Sequence, residues 1–312
     1  MDRILITGGS GFVGTSLVRA LLRDSVSIRV LDDFSTGLPS NLSGLDVEVI
    51  AGSITDKDAV RASCVGAQSI VHLAARGSVP RSIQEPWTTD QVNSHGTLNI
   101  LEEARKTGAH VIFSSSSSVY GRNDALPKTE TMWVSPMNPY AASKLSAEAY
   151  CSAYAAAYGV PVTVFRFFNI FGPWQRPDHD YAAVIPRWIR AALDGTAIPV
   201  DGDGTQTRDF TYVDDVVDVL EATITTGLVH PTPINLAFGN RISLNDVHAT
   251  LEKVIGRSLP VEFKPPRDTD VSHSQNNPRL LKELFPSVTP VAFETALAAT
   301  VEWMRGSTVQ RP

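Results

Sequence analysis

The 312-residue sequence contains few of the residues that bind metals or form disulfides. Its two cysteines, Cys64 and Cys151, lie far apart, and its seven histidines form no H-E-x-x-H or similar cluster. The cysteine count argues against a disulfide framework and predicts a reducing, cytoplasmic location. We therefore predict no metal site.

Long apolar runs and clusters of positive charge are also missing. No stretch approaches the roughly 18 unbroken apolar residues of a membrane helix. The amino-terminal apolar run soon breaks into glycines, unlike a signal peptide. The net charge is −6 and no run of lysine or arginine occurs, so we predict no membrane and no nucleic-acid partner. An anionic ligand would need a local cationic pocket.

Short apolar segments alternate with segments of helical periodicity. The predicted strands are RILIT, SIRVLD, VEVIAG, SIVHLAA, HVIFSSS, VTVFRFF and PINLAF. Most lack polar alternation, as strands buried on both faces do. The predicted helices are FVGTSLVRALLRD, DQVNSHGTLNILEEARKTG and PYAASKLSAEAYCSAYAAAYG. This alternation predicts an α/β fold with a Rossmann-type, doubly wound parallel sheet.

The pattern becomes irregular, with many prolines and glycines, after about residue 170. We therefore expect residues 1–168 to form a dinucleotide-binding domain, to which a later segment, about 211–238, returns. Residues 169–312 mainly form a smaller, interleaved substrate-binding lobe.

A glycine-rich turn joins the first predicted strand to the first helix. Gly8, Gly11 and Gly14 follow the pattern G-x-x-G-x-x-G, which lets a pyrophosphate approach the amino terminus of a helix. The next strand ends in Asp32 and Asp33, whose carboxylates accept hydrogen bonds from ribose hydroxyls. They repel a 2′-phosphate, and no arginine lies beside them, so we predict NAD as the cofactor.

A tyrosine, a lysine and a row of serines predict acid–base chemistry on an alcohol. Tyr140 and Lys144 lie one helical turn apart on one face. A neighbouring ammonium and the positive nicotinamide ring are expected to lower the phenol pKa from about 10. The serines in IFSSSSSVYG follow a predicted strand, where doubly wound sheets hold their ligands. We assign no role to His72, which we expect to be packed in the core.

These motifs together resemble the extended short-chain dehydrogenase/reductase family, in particular its nucleotide-sugar 4-epimerases. The resemblance rests on ILITGGSGFVG, VHLAA, SVPRSIQEP, VNSHGTLN, SSSSVYG, PYAASK, RFFNIFGPWQRP and GDGTQTRDFTYVDD, and it covers nearly the whole chain. It implies a UDP-sugar substrate, Ser116 as the catalytic hydroxyl, Tyr140 as the base and Lys144 as its partner. Ser118 would be a second hydroxyl lining the sugar site.

The resemblance also extends the set of expected binding residues. For the cofactor the set is Gly8, Gly11, Phe12, Val13, Gly14, Asp32, Asp33, Ser35, Thr36, Gly37, Ile54, Leu73, Ala74, Ala75, Asn93, Ser114, Tyr140 and Lys144. For the substrate it is Ser78, Ser116, Ser118, Tyr140, Asn169, Val184, Arg208, Arg267 and Asp270. The amide and the two guanidinium groups would bind the diphosphate, which guanidinium groups suit, and Asp270 would contact the uridine ribose.

Three positions depart from the family pattern. Ser53 stands where an aspartate usually contacts adenine, and Asp201 stands where an aromatic ring often stacks on the nucleobase. Ser274 stands where epimerases confined to unacetylated hexoses carry a bulky tyrosine. Its small side chain predicts that UDP-GlcNAc and UDP-GalNAc are accepted alongside UDP-glucose and UDP-galactose.

Several alternatives remain open at this point. A 4,6-dehydratase or a UDP-glucuronate decarboxylase would carry an acidic residue just before VYG, where this chain has Ser117 and Ser118. A UDP-glucuronate 4-epimerase is not separated by any single residue. A non-catalytic NAD sensor or scaffold would be expected to lose the tyrosine or the lysine. The resemblance also implies a homodimer through the helices around GTLNILEEAR and SKLSAEAYCSAYAAAY.

Overall fold

The fold comes from a computed structural model, which describes residues 3–24, 26–178, 182–265 and 273–309. The described residues form two compact units. The first unit contains those within 1–123, 130–167 and 217–236, and the second contains those within 124–129, 168–216 and 237–312.

Strands and helices are numbered separately in chain order. The strands are β1 (Arg3–Thr7), β2 (Ser27–Asp32), β3 (Glu48–Ala51), β4 (Ala67–His72), β5 (His110–Ser116), β6 (Val162–Phe167), β7 (Ile170–Phe171), β8 (Ile198–Asp201), β9 (Thr207–Arg208), β10 (Thr211–Tyr212), β11 (Ile234–Leu236), β12 (Ile242–Ser243) and β13 (Val261–Lys264). The helices are α1 (Phe12–Leu21), α2 (Lys57–Cys64), α3 (Val79–Gln84), α4 (Pro86–Asp90), α5 (Gly96–Thr107), α6 (Pro139–Tyr158), α7 (Val184–Asp194), α8 (Val213–Thr226), α9 (Leu244–Ile255), α10 (Arg279–Leu284) and α11 (Phe293–Val309).

The first unit is built on a parallel sheet, as predicted. Among the described residues it has seven strands in the order β11-β6-β5-β4-β1-β2-β3, and every neighbouring pair is parallel. The chain order reverses between β1 and β4, so the carboxyl ends of these strands border the crevice where doubly wound sheets bind ligands. Each predicted strand is present, and the predicted fold class is confirmed.

Local signals explain the bounds of the helix that carries the predicted base. Pro139 occupies the first turn of α6, and the Asn138 side chain caps it by accepting a hydrogen bond from Ala141 N at 2.9 Å. Gly159 ends the helix in the left-handed conformation, with φ 69°. Tyr140 therefore lies in the first turn of a well-defined helix.

The second predicted helix is interrupted. Between α4 and α5, residues Gln91–His95 form a π-helical turn, a feature that often occurs at functional sites. Asn93, one of the predicted cofactor-binding residues, lies in this turn and is buried.

The second unit has short strand pairs around an aromatic core. β7 pairs with β10 and β8 with β13 in parallel, whereas β9 and β12 are antiparallel. Phe171 contacts the rings of Phe210, Tyr212 and Phe293. The buried Trp188 donates to the Pro199 carbonyl at 2.8 Å. None of the helices in the described ranges is long and apolar enough to cross a membrane.

Candidate active site

The glycine-rich turn leaves no space for side chains at two of its positions. Gly8 has a φ of +72°, and a Cβ there would lie 2.8 Å from Ala74 N. A Cβ on Gly14 would run into the Gly8 carbonyl oxygen and lie 2.6 Å from Gly9 Cα. Glycine therefore permits both the left-handed backbone and the close packing of α1 on the turn, the arrangement that accepts a pyrophosphate.

Asp32 links this turn to the end of β2. Its two carboxylate oxygens accept hydrogen bonds from Ser10 N and Phe34 N, both at 2.9 Å. Each oxygen keeps a second lone pair for a ribose hydroxyl. Asp33 is exposed and accepts from Ser35 N at 2.9 Å.

The turn also holds a polar atom that lacks a partner. Ser10 Oγ is buried and makes no hydrogen bond within the described part of the chain. An unpaired hydroxyl beside the glycines and the Asp32 carboxylate fits a dinucleotide, which would supply hydrogen-bonding groups there.

Asn93 connects two parts of the predicted cofactor site. Its Oδ1 accepts from Arg76 N at 2.8 Å, and its Nδ2 donates to Ser143 Oγ at 2.9 Å. These bonds hold the loop after β4 against α6. The expected contact between Asn93 and the cofactor stays a prediction.

The serine row is ordered rather than a linker. Ser114, Ser115 and Ser116 are the last residues of β5, and the next two serines open a 3₁₀ turn that ends at Tyr120. Ser118 Oγ donates to Ser116 Oγ at 2.9 Å, and Ser116 is hydrogen-bonded to the Tyr140 side chain. Three hydroxyl groups thus meet at the carboxyl end of a central strand.

Lys144 is buried, with 3% of its surface exposed. Its Nζ donates to the Ser114 carbonyl at 2.7 Å and lies 5.0 Å from the centre of the Phe113 ring. Burial lowers the pKa of Lys144 to about 8, although Cys151 and Glu148 act in the opposite direction. His72 is fully buried, as expected.

The predicted lowering of the Tyr140 pKa included the nicotinamide ring and stays a prediction, but the protein groups alone shift this pKa upward. Burial raises the pKa of Tyr140 above its usual value, and the hydrogen bond to Ser116 partly offsets this by favouring the phenolate. Lys144 does not contribute to this shift in the chain alone.

A cavity of about 260 Å³ within the second unit contains several of the predicted substrate-binding residues. It is lined by Asn169, Val184, Asp201 and Arg208. Asn169 has an unusual positive φ of 22° and donates to the Asp209 carbonyl at 3.3 Å. Such backbone strain is common at ligand sites.

A second arginine of this cavity, Arg187, was missed from the sequence. Arg187 lines it and pairs with Asp201 Oδ2 at 3.4 Å, and Arg187 Nε is buried without a hydrogen-bond partner in the described chain. Asp201 therefore carries an ion pair where the family pattern has an aromatic ring. Arg187 lies one turn after Val184 on α7, and this helical spacing is the signal that could have identified it.

The remaining predicted residues are placed as follows. Phe12 and Val13 begin α1, Ser35, Thr36 and Gly37 follow β2, Ile54 is buried after β3, and Leu73, Ala74 and Ala75 follow β4. Ser78 caps α3 by accepting from Arg81 N at 3.3 Å. Ser274 N donates to the Thr207 carbonyl, next to Arg208, at 3.0 Å. Arg267 and Asp270 lie outside the described residues.

Comparison with known proteins links this geometry to a family. The NAD dependent epimerase/dehydratase family matches residues 4–237. The chain is 34% identical over 311 residues to a UDP-glucose 4-epimerase of Mycolicibacterium smegmatis, covering 97% of this chain and 98% of that protein. It is 33% identical over 312 residues to UDP-glucuronic acid decarboxylase 1 of Xenopus tropicalis, covering 97% of this chain and 72% of that protein.

A solved structure shows the same likeness in three dimensions. It is a UDP-N-acetylglucosamine 4-epimerase from Methanobrevibacter ruminantium in complex with UDP-N-acetylmuramic acid. It aligns with a TM-score of 0.93 at 32% identity and covers 98% of this chain and 99% of that chain.

Proposed function

The chain belongs to the NAD dependent epimerase/dehydratase family, and we propose that it is a UDP-sugar 4-epimerase. Its proposed substrates are UDP-glucose and UDP-galactose, together with UDP-GlcNAc and UDP-GalNAc. The observation that carries the proposal is the contact between Tyr140 and Ser116 beside the buried Lys144. This arrangement suits proton transfer at a sugar hydroxyl.

Each residue of this group has a distinct role in the proposed reaction. Bound NAD supplies reversible hydride transfer at C4 of the sugar, through a transient 4-keto sugar. Tyr140 removes the proton from the 4-hydroxyl and later returns it, while Ser116 donates a hydrogen bond that holds the reacting oxygen. Lys144 carries the cation of this group, and the Ser114 carbonyl holds its Nζ in place.

Two residues of the second-unit cavity, Asn169 and Arg208, would bind the diphosphate. The amide and the guanidinium group both donate hydrogen bonds, and the guanidinium adds a permanent charge. The protein's net charge of −6 makes this local cation necessary for an anionic substrate.

Epimerisation is favoured over dehydration and decarboxylation by the side chains around Ser116. Ser118 uses its hydroxyl to hydrogen-bond Ser116, and no carboxylate contributes to the Tyr140 pKa shift within the described chain. Glu148 is paired with Arg166. Serine does not transfer protons at neutral pH as a carboxyl group does, so Ser117 and Ser118 do not supply the second acid–base group that those reactions need.

The first test is product analysis with a panel of UDP-sugars. We expect the pure protein with NAD to convert UDP-glucose to UDP-galactose, and UDP-GlcNAc to UDP-GalNAc, by NMR. Release of CO₂ from UDP-glucuronate would identify a decarboxylase, and a 4-keto-6-deoxy product would identify a dehydratase. Either result would overturn the proposal.

Thermal stabilisation by UDP separates an enzyme from an NAD sensor. At about 100 times its dissociation constant, UDP should stabilise the fold by about 2.7 kcal/mol. Arg208→Leu should lose most of this stabilisation. Arg190→Leu, which removes a partly exposed arginine paired with Asp194 on α7, should retain it. A pure NAD sensor would show no stabilisation by UDP in any variant.

Ser274 is expected to set the choice between sugars. A tyrosine there should block the 2-acetamido group, so Ser274→Tyr should lower kcat/KM for UDP-GlcNAc by about 10-fold or more and leave UDP-glucose within about 3-fold. Ser274→Ala keeps the space and should accept both sugars. Equal losses for both sugars in Ser274→Tyr would contradict this role, as would a wild type that is saturated by UDP-glucose yet inactive on UDP-GlcNAc.

A further inference from the structure

A buried ion pair lies next to the residues that carry the proposed chemistry. Glu148 on α6 and Arg166 on β6 have side-chain exposures of only 5% and 6%. The contact is bidentate: Arg166 Nε lies 3.0 Å from Oε1, and Nη2 lies 2.9 Å from Oε2. The proposed reaction gives neither residue a role.

The pair contacts both ends of residues 115–120, which we call the serine segment. At one end, Ser115 Oγ donates a hydrogen bond to Glu148. At the other end, Arg166 Nη1 donates to Tyr120 Oη at 3.0 Å and its guanidinium lies 4.9 Å from the centre of that ring. Ser116 and Ser118 lie between these two attachment points.

The far end of the serine segment is anchored once more within the first unit. Tyr120 Oη donates to Asn235 Oδ1 on β11 at 2.7 Å. Asn235 N in turn donates to Glu130 Oε1 at 3.1 Å. These hydrogen bonds connect Glu148 to Glu130 through Arg166, Tyr120 and Asn235.

Glu148 also shares a helix face with the proposed base. Tyr140, Lys144 and Glu148 follow at intervals of four residues on α6, so their side chains lie along one face. Glu148 is therefore one helical turn from Lys144 along this face.

Resting on the proposed function, we propose that Glu148 and Arg166 are a positioning pair for catalysis. They hold the serine segment at both ends so that Ser116 stays against Tyr140, and Glu148 supports the positive charge of Lys144. Packing alone does not explain the pair, because buried ion pairs often add no stability over apolar side chains of similar volume.

The other titratable groups around Lys144 are neutral and do not stabilise its positive charge. Burial lowers the pKa of His72 on β4 to about 3, so this histidine is neutral. Burial raises the pKa of the Cys151 thiol on α6 far above neutrality, so the thiol is neutral as well. Tyr140 is uncharged in the chain by itself. Among the described groups that act on the Lys144 pKa, Glu148 is then left as the one that raises it, and Arg166 acts through Glu148.

The decisive experiment is the double variant Glu148→Gln/Arg166→Met, which removes both charges and leaves none of the pair buried alone. We expect it to fold and to bind UDP with wild-type affinity. Its kcat should fall by about 10-fold to 100-fold with KM within about 3-fold. The alkaline limb of the kcat profile should move to lower pH, because Lys144 loses its proton more readily without Glu148. Wild-type kcat with an unchanged pH profile would overturn the proposal.

Two further variants serve as controls. One tests the proposal if the double variant does not fold, and the other measures the effect of general destabilisation. Ser115→Ala leaves the ion pair intact, and a wild-type rate in this variant would overturn the positioning role even if the double variant did not fold. Arg29→Met/Glu48→Gln removes another ion pair of the first unit, at 2.9 Å. It should lower Tm without moving the pH profile, and an equal shift of the profile there would overturn a specific role for Glu148.

A readout without substrate separates this inference from the proposed function. Tyrosine ionisation is followed by ultraviolet absorbance in the NAD-loaded enzyme, with Tyr140→Phe as the reference. In the double variant Tyr140 should ionise at higher pH, since the Ser116 hydrogen bond that lowers its pKa is weakened. If this shift occurs while the wild type converts no UDP-sugar, the proposed reaction fails and the positioning role stands. If Tyr140 ionises at an unchanged pH, the positioning role fails.

Discussion

Tyr140→Phe is expected to lower kcat by about 10²-fold to 10⁴-fold, the usual contribution of a general acid–base group. Phenylalanine keeps the ring and its packing and removes only the hydroxyl that exchanges the proton with the sugar. Binding of NAD and of UDP-sugar should therefore be unchanged. Steady-state rates combined with calorimetric titration of both ligands measure these effects separately.

A second tyrosine on the same helix supplies the control. Tyr150 is partly exposed on α6, so Tyr150→Phe makes the same chemical change outside the proposed site and should keep the wild-type rate. If Tyr140→Phe turned over substrate at a rate near that of Tyr150→Phe, Tyr140 would not be the base and the proposed reaction would lose its central residue.

Gly14→Ala is expected to lower NAD affinity by about 10-fold or more, which corresponds to 1.4 kcal/mol or more. The added methyl group would run into the Gly8 carbonyl oxygen and Gly9 Cα, so the backbone that faces the pyrophosphate must move. Overpacking of this kind also destabilises the fold by about 1–3 kcal/mol. Calorimetric titration with NAD and a thermal melt of the free protein measure the two effects.

A glycine with open space around it provides the matched variant. A Cβ on Gly306 of α11 would meet nothing within 4 Å, so Gly306→Ala should leave NAD affinity unchanged. Normal NAD binding by Gly14→Ala would show that the glycine-rich turn does not hold the pyrophosphate.

The sequence was most informative where a pattern is local. The glycine turn, the bounds of α6 and the shared helix face of Tyr140 and Lys144 follow from spacing within a few residues, and the structure shows the turn and the helix where they were predicted. Glu148 continues the same spacing by one further turn, but without its partner it is an ordinary charged residue in an Ala-rich helix.

The sequence was misleading where burial decides. A lysine one turn from a tyrosine predicted a contribution to a lowered phenol pKa, but the Lys144 Nζ donates to the Ser114 carbonyl, and among the protein groups burial raises the Tyr140 pKa. Asp201, read as a departure from an aromatic position, has an ion-pair partner in Arg187. Both results depend on residues that are distant in sequence, such as Ser114 for Lys144 and Arg187 for Asp201.

By itself, the sequence determined the alternation of strands and helices, the parallel sheet and the residues that could bind a nucleotide, because periodicity, glycine positions and caps act over short distances. Only the tertiary structure decided which of these residues meet and how they are charged. Ser10 contacts Asp32, and Arg166 contacts Glu148, through folding of distant segments. Desolvation and the pairing of charges depend on everything that surrounds a group, and this surrounding exists only once the chain is folded.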